Sequence, residues 1–195
     1  MMPLAIILGV LAVIVALALL CYRAPRSSEA LVRTGLGGAK VSLGGMFALP
    51  GLQTCATLDL SLSRLALSYR GPENPLITKG EQLFDLEVTI YFRAAKTPEE
   101  IALAVAHFGL DTLNDEAALV AVVRDDMDNA VRAAAGEFNW DEIRDEPQRF
   151  KEGLSQRLAP LIPGLVVDGI ALDHIDKFPP EISARQGGGL LFRAL

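Results

Sequence analysis

The chain has 195 residues, 18 Lys and Arg against 24 Asp and Glu, a formal net charge of −6 and 51% hydrophobic residues. That acidic balance excludes the basic footprint of a nucleic-acid binder, and two cysteines, Cys21 and Cys55, offer no disulfide framework and fit a reducing compartment. No charged residue precedes Arg23, so the composition divides the chain into an apolar head and a water-soluble remainder.

From Leu4 to Leu20 every residue is Leu, Ile, Val, Ala or Gly, and Cys21 and Tyr22 extend the run. A helix over Leu4–Tyr22 reaches roughly 28 Å, close to the thickness of a bilayer's hydrocarbon core. Twelve of the 17 residues Leu4–Leu20 are Leu, Ile or Val. Together they favour insertion by roughly 4–7 kcal/mol. A cleaved leader, the competing reading for a secreted or periplasmic domain, would open with basic residues and offer small ones at the cut. Here Met1-Met2-Pro3 opens the chain and Ala18-Leu19-Leu20-Cys21 fits neither a cleavage site nor a lipoprotein signal. A core helix is the other alternative, but the run is apolar on every face and too long for one. Residues 1–22 are therefore expected to be a transmembrane anchor. Tyr22 takes the place of an interfacial aromatic, with Arg23 and Arg26 just beyond it. These three are the candidate membrane-interface residues, and the positive flank keeps the remainder in the cytosol. Cys21 stands where S-acylation occurs, although a small apolar residue closing a helix needs no such role.

The remainder opens as β-structure. Glu29–Thr34 and Lys40–Leu43 read as short strands around Gly35-Leu36-Gly37-Gly38, and Met46–Leu49 ends at the turn signal Pro50-Gly51. Leu58, Leu60 and Leu62 alternate with polar residues, then the apolar parity switches to Leu65, Leu67 and Tyr69. A bulge or bend near Ser63-Arg64 is the expected cause. After the loop Arg70–Pro75, the residues Phe84, Leu86, Val88, Ile90 and Phe92 alternate with Asp85, Glu87, Thr89, Tyr91 and Arg93, the pattern of a strand with one buried face.

The period changes at residue 97. Thr97-Pro98-Glu99-Glu100 combines an N-cap, proline at the first helical position and a capping-box glutamate, so a helix should run to Phe108 and stop at Gly109. A second start at Asn114 or Asp115 predicts a helix to about Ala135, with Leu119, Val122, Val123, Met127, Ala130, Val131 and Ala134 as its apolar stripe. Asn139 with Glu142 suggests another capping box, and Pro147 restarts a helix carrying Phe150, Leu154, Leu158 and Leu161. Val166–Ile175 reads as a final strand before Pro179-Pro180, and Gly187-Gly188-Gly189 as flexible. Strands, then helices, then a strand make an α+β class. The expected division is an anchor over 1–22, a β-rich part over 23–96, an α/β part over 97–178 and a tail over 179–195.

Catalytic chemistry is sparse. Gly35, Gly37 and Gly38 approach a dinucleotide-binding pattern, but Lys40 holds the third glycine position and a strand follows. His107 and His174 have no Cys or His at metal-ligand spacing, and no G-x-S-x-G occurs. Asp125, Asp126 and Asp128 lack the EF-hand spacing and read as a solvated face near Arg124 and Arg132. No cofactor, metal or catalytic residue is assigned.

Several motifs, in order, resemble the SPFH (stomatin, prohibitin and flotillin; band 7) domain, and flotillin-like bacterial proteins most of all. They are Tyr22-Arg23-Ala24-Pro25, Glu29–Gly35 and Gly37–Val41 after an apolar segment, and Leu76-Ile77-Thr78-Lys79-Gly80 before the amphipathic strand. Ala118–Ala135 with Trp140-Asp141-Glu142-Ile143, and Gly164–Asp176 with a turn-like Leu172-Asp173-His174-Ile175-Asp176, complete the set. The resemblance implies a membrane-anchored scaffold rather than an enzyme. It would be a single-pass protein of the plasma (inner) membrane, organising membrane patches as a homo- or hetero-oligomer with other SPFH-family proteins or with integral membrane proteins. Flotillins continue into a long coiled coil, whereas 19 residues follow Asp176 here, without heptads. This departure suggests an alternative: an adaptor or regulatory subunit of another membrane complex, such as a membrane protease or a larger SPFH oligomer.

Overall fold

The computed structural model describes residues 19–35, 40–48, 52–71 and 73–178, together with residues 9, 11, 12, 15 and 16. The Gly37-Gly38 pair, the Pro50-Gly51 turn, the tail 179–195 and most of the expected span lie outside the described residues. Within the span, Gly9, Leu11, Ala12, Val15, Ala16 and Leu19–Cys21 are helical. Among the described residues no helix is long and apolar enough to cross a membrane.

The chain forms two compact units, each assembled from two separated stretches: residues 1–61 with 94–114, and residues 62–93 with 115–195.

In the first unit, β1 (Tyr22–Arg23) pairs with β4 (Met46–Phe47), and β2 (Glu29–Gly35) is the centre of an antiparallel sheet between β3 (Lys40–Ser42) and β5 (Gln53–Asp59). Ala30, Leu31 and Val32 are buried in succession, so both faces of β2 are covered there and the usual alternation is lost. Gly35 closes β2 at φ +118°, a conformation that favours glycine, with the Leu52 carbonyl where a Cβ would stand. Helix α1 (Pro98–Phe108) begins as expected, the Thr97 hydroxyl accepting from the Glu100 N–H, and ends at Gly109 with φ +80°. It buries Ile101 and Ala104 and packs beside β3. A short helix α2 (Leu110–Asn114) follows, which the sequence pattern does not reveal. Its last residue works as a side-chain rung on β5: Asn114 Nδ2 donates to the Thr57 carbonyl at 2.9 Å, and Oδ1 accepts from the Asp59 N–H at 3.0 Å.

In the second unit, the expected amphipathic strand is β8 (Leu83–Ala94). It pairs antiparallel with β6 (Ser63–Tyr69) and β7 (Leu76–Ile77), and also with the last strand β9 (Leu165–Lys177). Phe84, Leu86, Val88, Ile90 and Phe92 are all buried, and the alternate residues are half-exposed. On that wetter face, Thr89 donates to Asp173 at 2.9 Å, and Arg93 meets Asp168 at 2.7 Å. These partners fall in number along β9 as they rise along β8, so the two strands run in opposite directions. Helix α3 (Glu116–Ala135) packs on β6 and β7. Helix α5 (Pro147–Leu158) packs on α3, on α4 (Trp140–Asp145) and on β9.

Helix α3 starts where Asp115 Oδ1 accepts from the N–H groups of Ala117 and Ala118, at 3.0 and 3.2 Å. Two of the helix's orphan donors depend on that carboxylate. Asp115→Ala is expected to cost about 1 kcal/mol, read as a lower midpoint in chemical denaturation with an unchanged slope.

Four expectations need correction. The parity switch after Leu62 is not a bulge: β5 ends at Asp59 in one sheet and β6 begins at Ser63 in another, so two phases belong to two strands. Val122 is 55% exposed. At about 100° per residue it lies roughly 140° around the helix from Met127, which is at the centre of the buried stripe. Leu161 falls beyond α5 and is 38% exposed, while Ile162 takes the buried place. Leu172–Asp176 is not a turn but the continuation of β9 to Lys177.

Tyr69 closes β6 and is 1% exposed. Burial first, and then the neighbouring Asp128, push its phenol pKa above the ordinary value. The folded state therefore holds this proton more tightly than the unfolded chain. Stability is fully present below the unfolded value of about 10 and is lost as the pH rises from there towards the raised folded value. The melting temperature should fall above about pH 10, and Tyr69→Phe should remove part of that fall.

Candidate membrane interface

The end of the N-terminal helix is tied to the β1–β4 strand pair beyond it. Cys21 is buried, and its carbonyl accepts from the Ala48 N–H at 2.9 Å. Tyr22 does not prolong the helix. It turns into β1, where Tyr22 faces Phe47 and Arg23 faces Met46. A pair of two-residue strands has little hold of its own, and the side chains supply the rest. The Tyr22 and Phe47 rings lie 5.3 Å apart at 59°, a favourable tilted geometry. The Tyr22 ring also covers Gly45, where any Cβ would strike it. From β2, Arg33 Nη1 donates to the Phe47 carbonyl at 2.9 Å. Met46 turns its sulfur towards Cys55, 3.9 Å away.

This junction exposes what a soluble surface usually hides. Tyr22 is 47% exposed, Phe47 57%, and Leu19 and Leu20 more than 70% each. Leu43 and Leu52, on the same unit, are exposed as well. The charge here is of one sign. Residues 22–58 contain Arg23, Arg26, Arg33 and Lys40 against Glu29 alone, a balance of +3, while the rest of the chain carries 14 basic and 23 acidic residues, a balance of −9. Arg26 leans on Glu29 at 3.9 Å and stays almost wholly in solvent.

Of the three interface residues expected from sequence, Tyr22 and Arg23 form β1, paired with β4, and Arg26 lies in the loop before β2. Sequence reasoning left Met46-Phe47 open between a contact to lipid headgroups and a place in the core, and Phe47 is 57% exposed. It also passed over Arg33. The available signal was an apolar pair between Gly44-Gly45 and Pro50-Gly51, where turns on both sides leave little room for burial.

The model of the SPFH domain / Band 7 family matches residues 26–187. The chain belongs to this family. Within it, the SPFH protein described here is similar to the flotillin family inner membrane protein YqiK of Escherichia coli (strain K12), 30% identical over 163 residues. The match covers 82% of this chain and 29% of YqiK, so the chain spans less than a third of that relative's length. The expected flotillin-like resemblance is borne out, as is the α+β fold with antiparallel sheets. The family is of a membrane-associated, scaffold type.

Proposed function

We propose that this SPFH protein is a non-enzymatic scaffold, held at the inner membrane by Leu4–Cys21, with its first unit resting on the cytoplasmic leaflet. The observation that supports this most strongly is the Tyr22–Phe47 pair, half-exposed at the foot of the apolar helix and flanked by arginines. Aromatic rings with a polar tip favour the headgroup level. Basic residues beside an anionic leaflet gain about 1 kcal/mol each, so Arg23, Arg26, Arg33 and Lys40 favour the cytoplasmic side. YqiK's designation as an inner membrane protein supports the same location. Partners are other SPFH chains, or integral membrane proteins gathered into the same patch.

A photo-crosslinking residue, p-benzoylphenylalanine, in place of Phe47 tests the contact in native membranes. Lipid adducts at position 47 are the expected result. Adducts to protein alone would place Phe47 in a protein interface and overturn this reading of the junction.

A further inference from the structure

Strand β9 is 13 residues long, and among the described residues β8 is the one strand that pairs with it. Its other edge offers a row of backbone N–H and C=O groups, a template for a further strand. Proteins commonly blunt such an edge with charged side chains. On β9 those side chains are engaged with neighbours: Asp168 holds Arg93, Asp173 accepts from Thr89, and Asp176 meets His174 at 3.1 Å. The first unit treats an edge differently, since the Asn114 side chain takes up the Thr57 carbonyl and the Asp59 N–H of β5.

A groove of about 350 Å³ lies beside β9, with α5 as its other wall. Val167, Asp168, Gly169 and Ile170 line it in succession. Strand side chains alternate between faces, so a space that meets four residues in a row runs along the backbone edge and not over one face. A Cβ at Gly169 would meet nothing within 4 Å, and glycine inside a strand marks a place where another backbone comes close. From α5 come Gln148, Lys151, Glu152 and Ser155, at the spacing of one helical stripe. None of these four side chains has a hydrogen bond or ion pair among the described residues, whereas Arg149 and Arg157 on the same helix are held by Glu142 and Glu137. Nearby in the chain, Leu161 and Val166 are 38% and 39% exposed, apolar surface without cover.

An open strand edge facing a helix across a cleft is the arrangement that accepts an extended segment by strand addition. We propose that Leu190–Leu195 of the same chain is that segment, adding antiparallel to β9 along the groove. Leu190-Leu191-Phe192-Arg193-Ala194-Leu195 is mostly apolar, with no proline or acidic residue, and its one cation, Arg193, has the unpaired Glu152 as a partner. Gly187–Gly189 precede it, and glycine accepts the change of direction that docking needs. The reach suffices. From Phe178 back to Gly169 is about 30 Å along β9, and the chain from Phe178 to Leu190 extends to about 40 Å. A short tether holds the segment at roughly millimolar effective concentration, ahead of the same segment on another copy. Docked there, it closes an edge that would otherwise pair copies edge to edge. The inference does not depend on the scaffold reading, because groove and segment both belong to the second unit.

Hydrogen–deuterium exchange of the full chain in detergent tests this. Amides of residues 167–171 should exchange at least ten-fold faster once residues 187–195 are removed. Leu191→Pro with Phe192→Pro should have the same effect, because it removes two successive N–H donors, one of which faces β9 in either register. Exchange of residues 86–92 in β8 should stay as in the parent, which separates release of the segment from loss of the fold. With p-benzoylphenylalanine in place of Phe192, adducts to residues 148–155 or 167–171 of the same chain are expected. Unchanged exchange at 167–171 in either variant, or a rise shared equally by 86–92, would overturn the proposal. So would adducts formed only with another copy, with lipid or with a different protein.

Discussion

Leu11→Asp with Val15→Asp is expected to move this protein from the membrane to the soluble fraction. Both residues are helical and about half-exposed, and both lie near the middle of the apolar run. Each aspartate costs roughly 2.5–3.5 kcal/mol at the centre of a span, and the two lost apolar residues add about 1 kcal/mol more. The total, roughly 6–8 kcal/mol, matches or exceeds the 4–7 kcal/mol that the run's Leu, Ile and Val residues contribute. The single variants should stay largely bound, because one aspartate leaves a net gain. Neither side chain supports the core, so the extracted double variant should keep the parent's thermal transition. Retention of the double variant after a high-salt wash would show that residues beyond the helix, and not the helix, hold the chain to the bilayer.

Phe84→Ala is expected to produce the largest loss of stability. Phe84 is fully buried on β8, pairs in register with Leu76, and meets Trp140 of α4 edge-on at 5.8 Å. It thus joins the sheet to a helix some 50 positions later in the chain. Truncating a buried phenylalanine costs about 3–5 kcal/mol. Domain stabilities are only about 5–15 kcal/mol, so this is a large fraction of the second unit's total. At about 4–8 °C per kcal/mol for a unit of this size, the midpoint should fall by more than 10 °C. Tryptophan fluorescence should report it directly, because Trp140 is the chain's one tryptophan. A shift below about 1 kcal/mol would mean that the site collapses around the missing ring.

Local chemistry made much of the fold legible. Five apolar residues at a two-residue period mark β8 because its buried face is continuous. Thr97-Pro98, Gly109 and Asp115 mark helix ends because caps act over two or three residues. Long-range pairing left no such trace. The phase change between Leu62 and Leu65 looks the same whether a strand bulges or a chain leaves one sheet for another. Val122 matches the composition of the stripe on α3 but not its angle, and only the position of β6 decides which angles are buried. Tyr22 and Phe47 are 25 positions apart, and what joins them is a pair of two-residue strands with too little pattern to fix its register. The surroundings of Tyr69 were less visible still. Asp125, Asp126 and Asp128 near Arg124 and Arg132 read as a solvated face until β6 places the buried Tyr69 ring under Arg132.

The central claim is that this chain works as a membrane-held assembly component. Native mass spectrometry of the intact protein, extracted from its own membrane in mild detergent, tests it most directly. Several copies of the 20.9 kDa chain, or this chain together with another SPFH or integral membrane protein, are the predicted result. A single 20.9 kDa species with no membrane partner, recovered intact under those conditions, would contradict it.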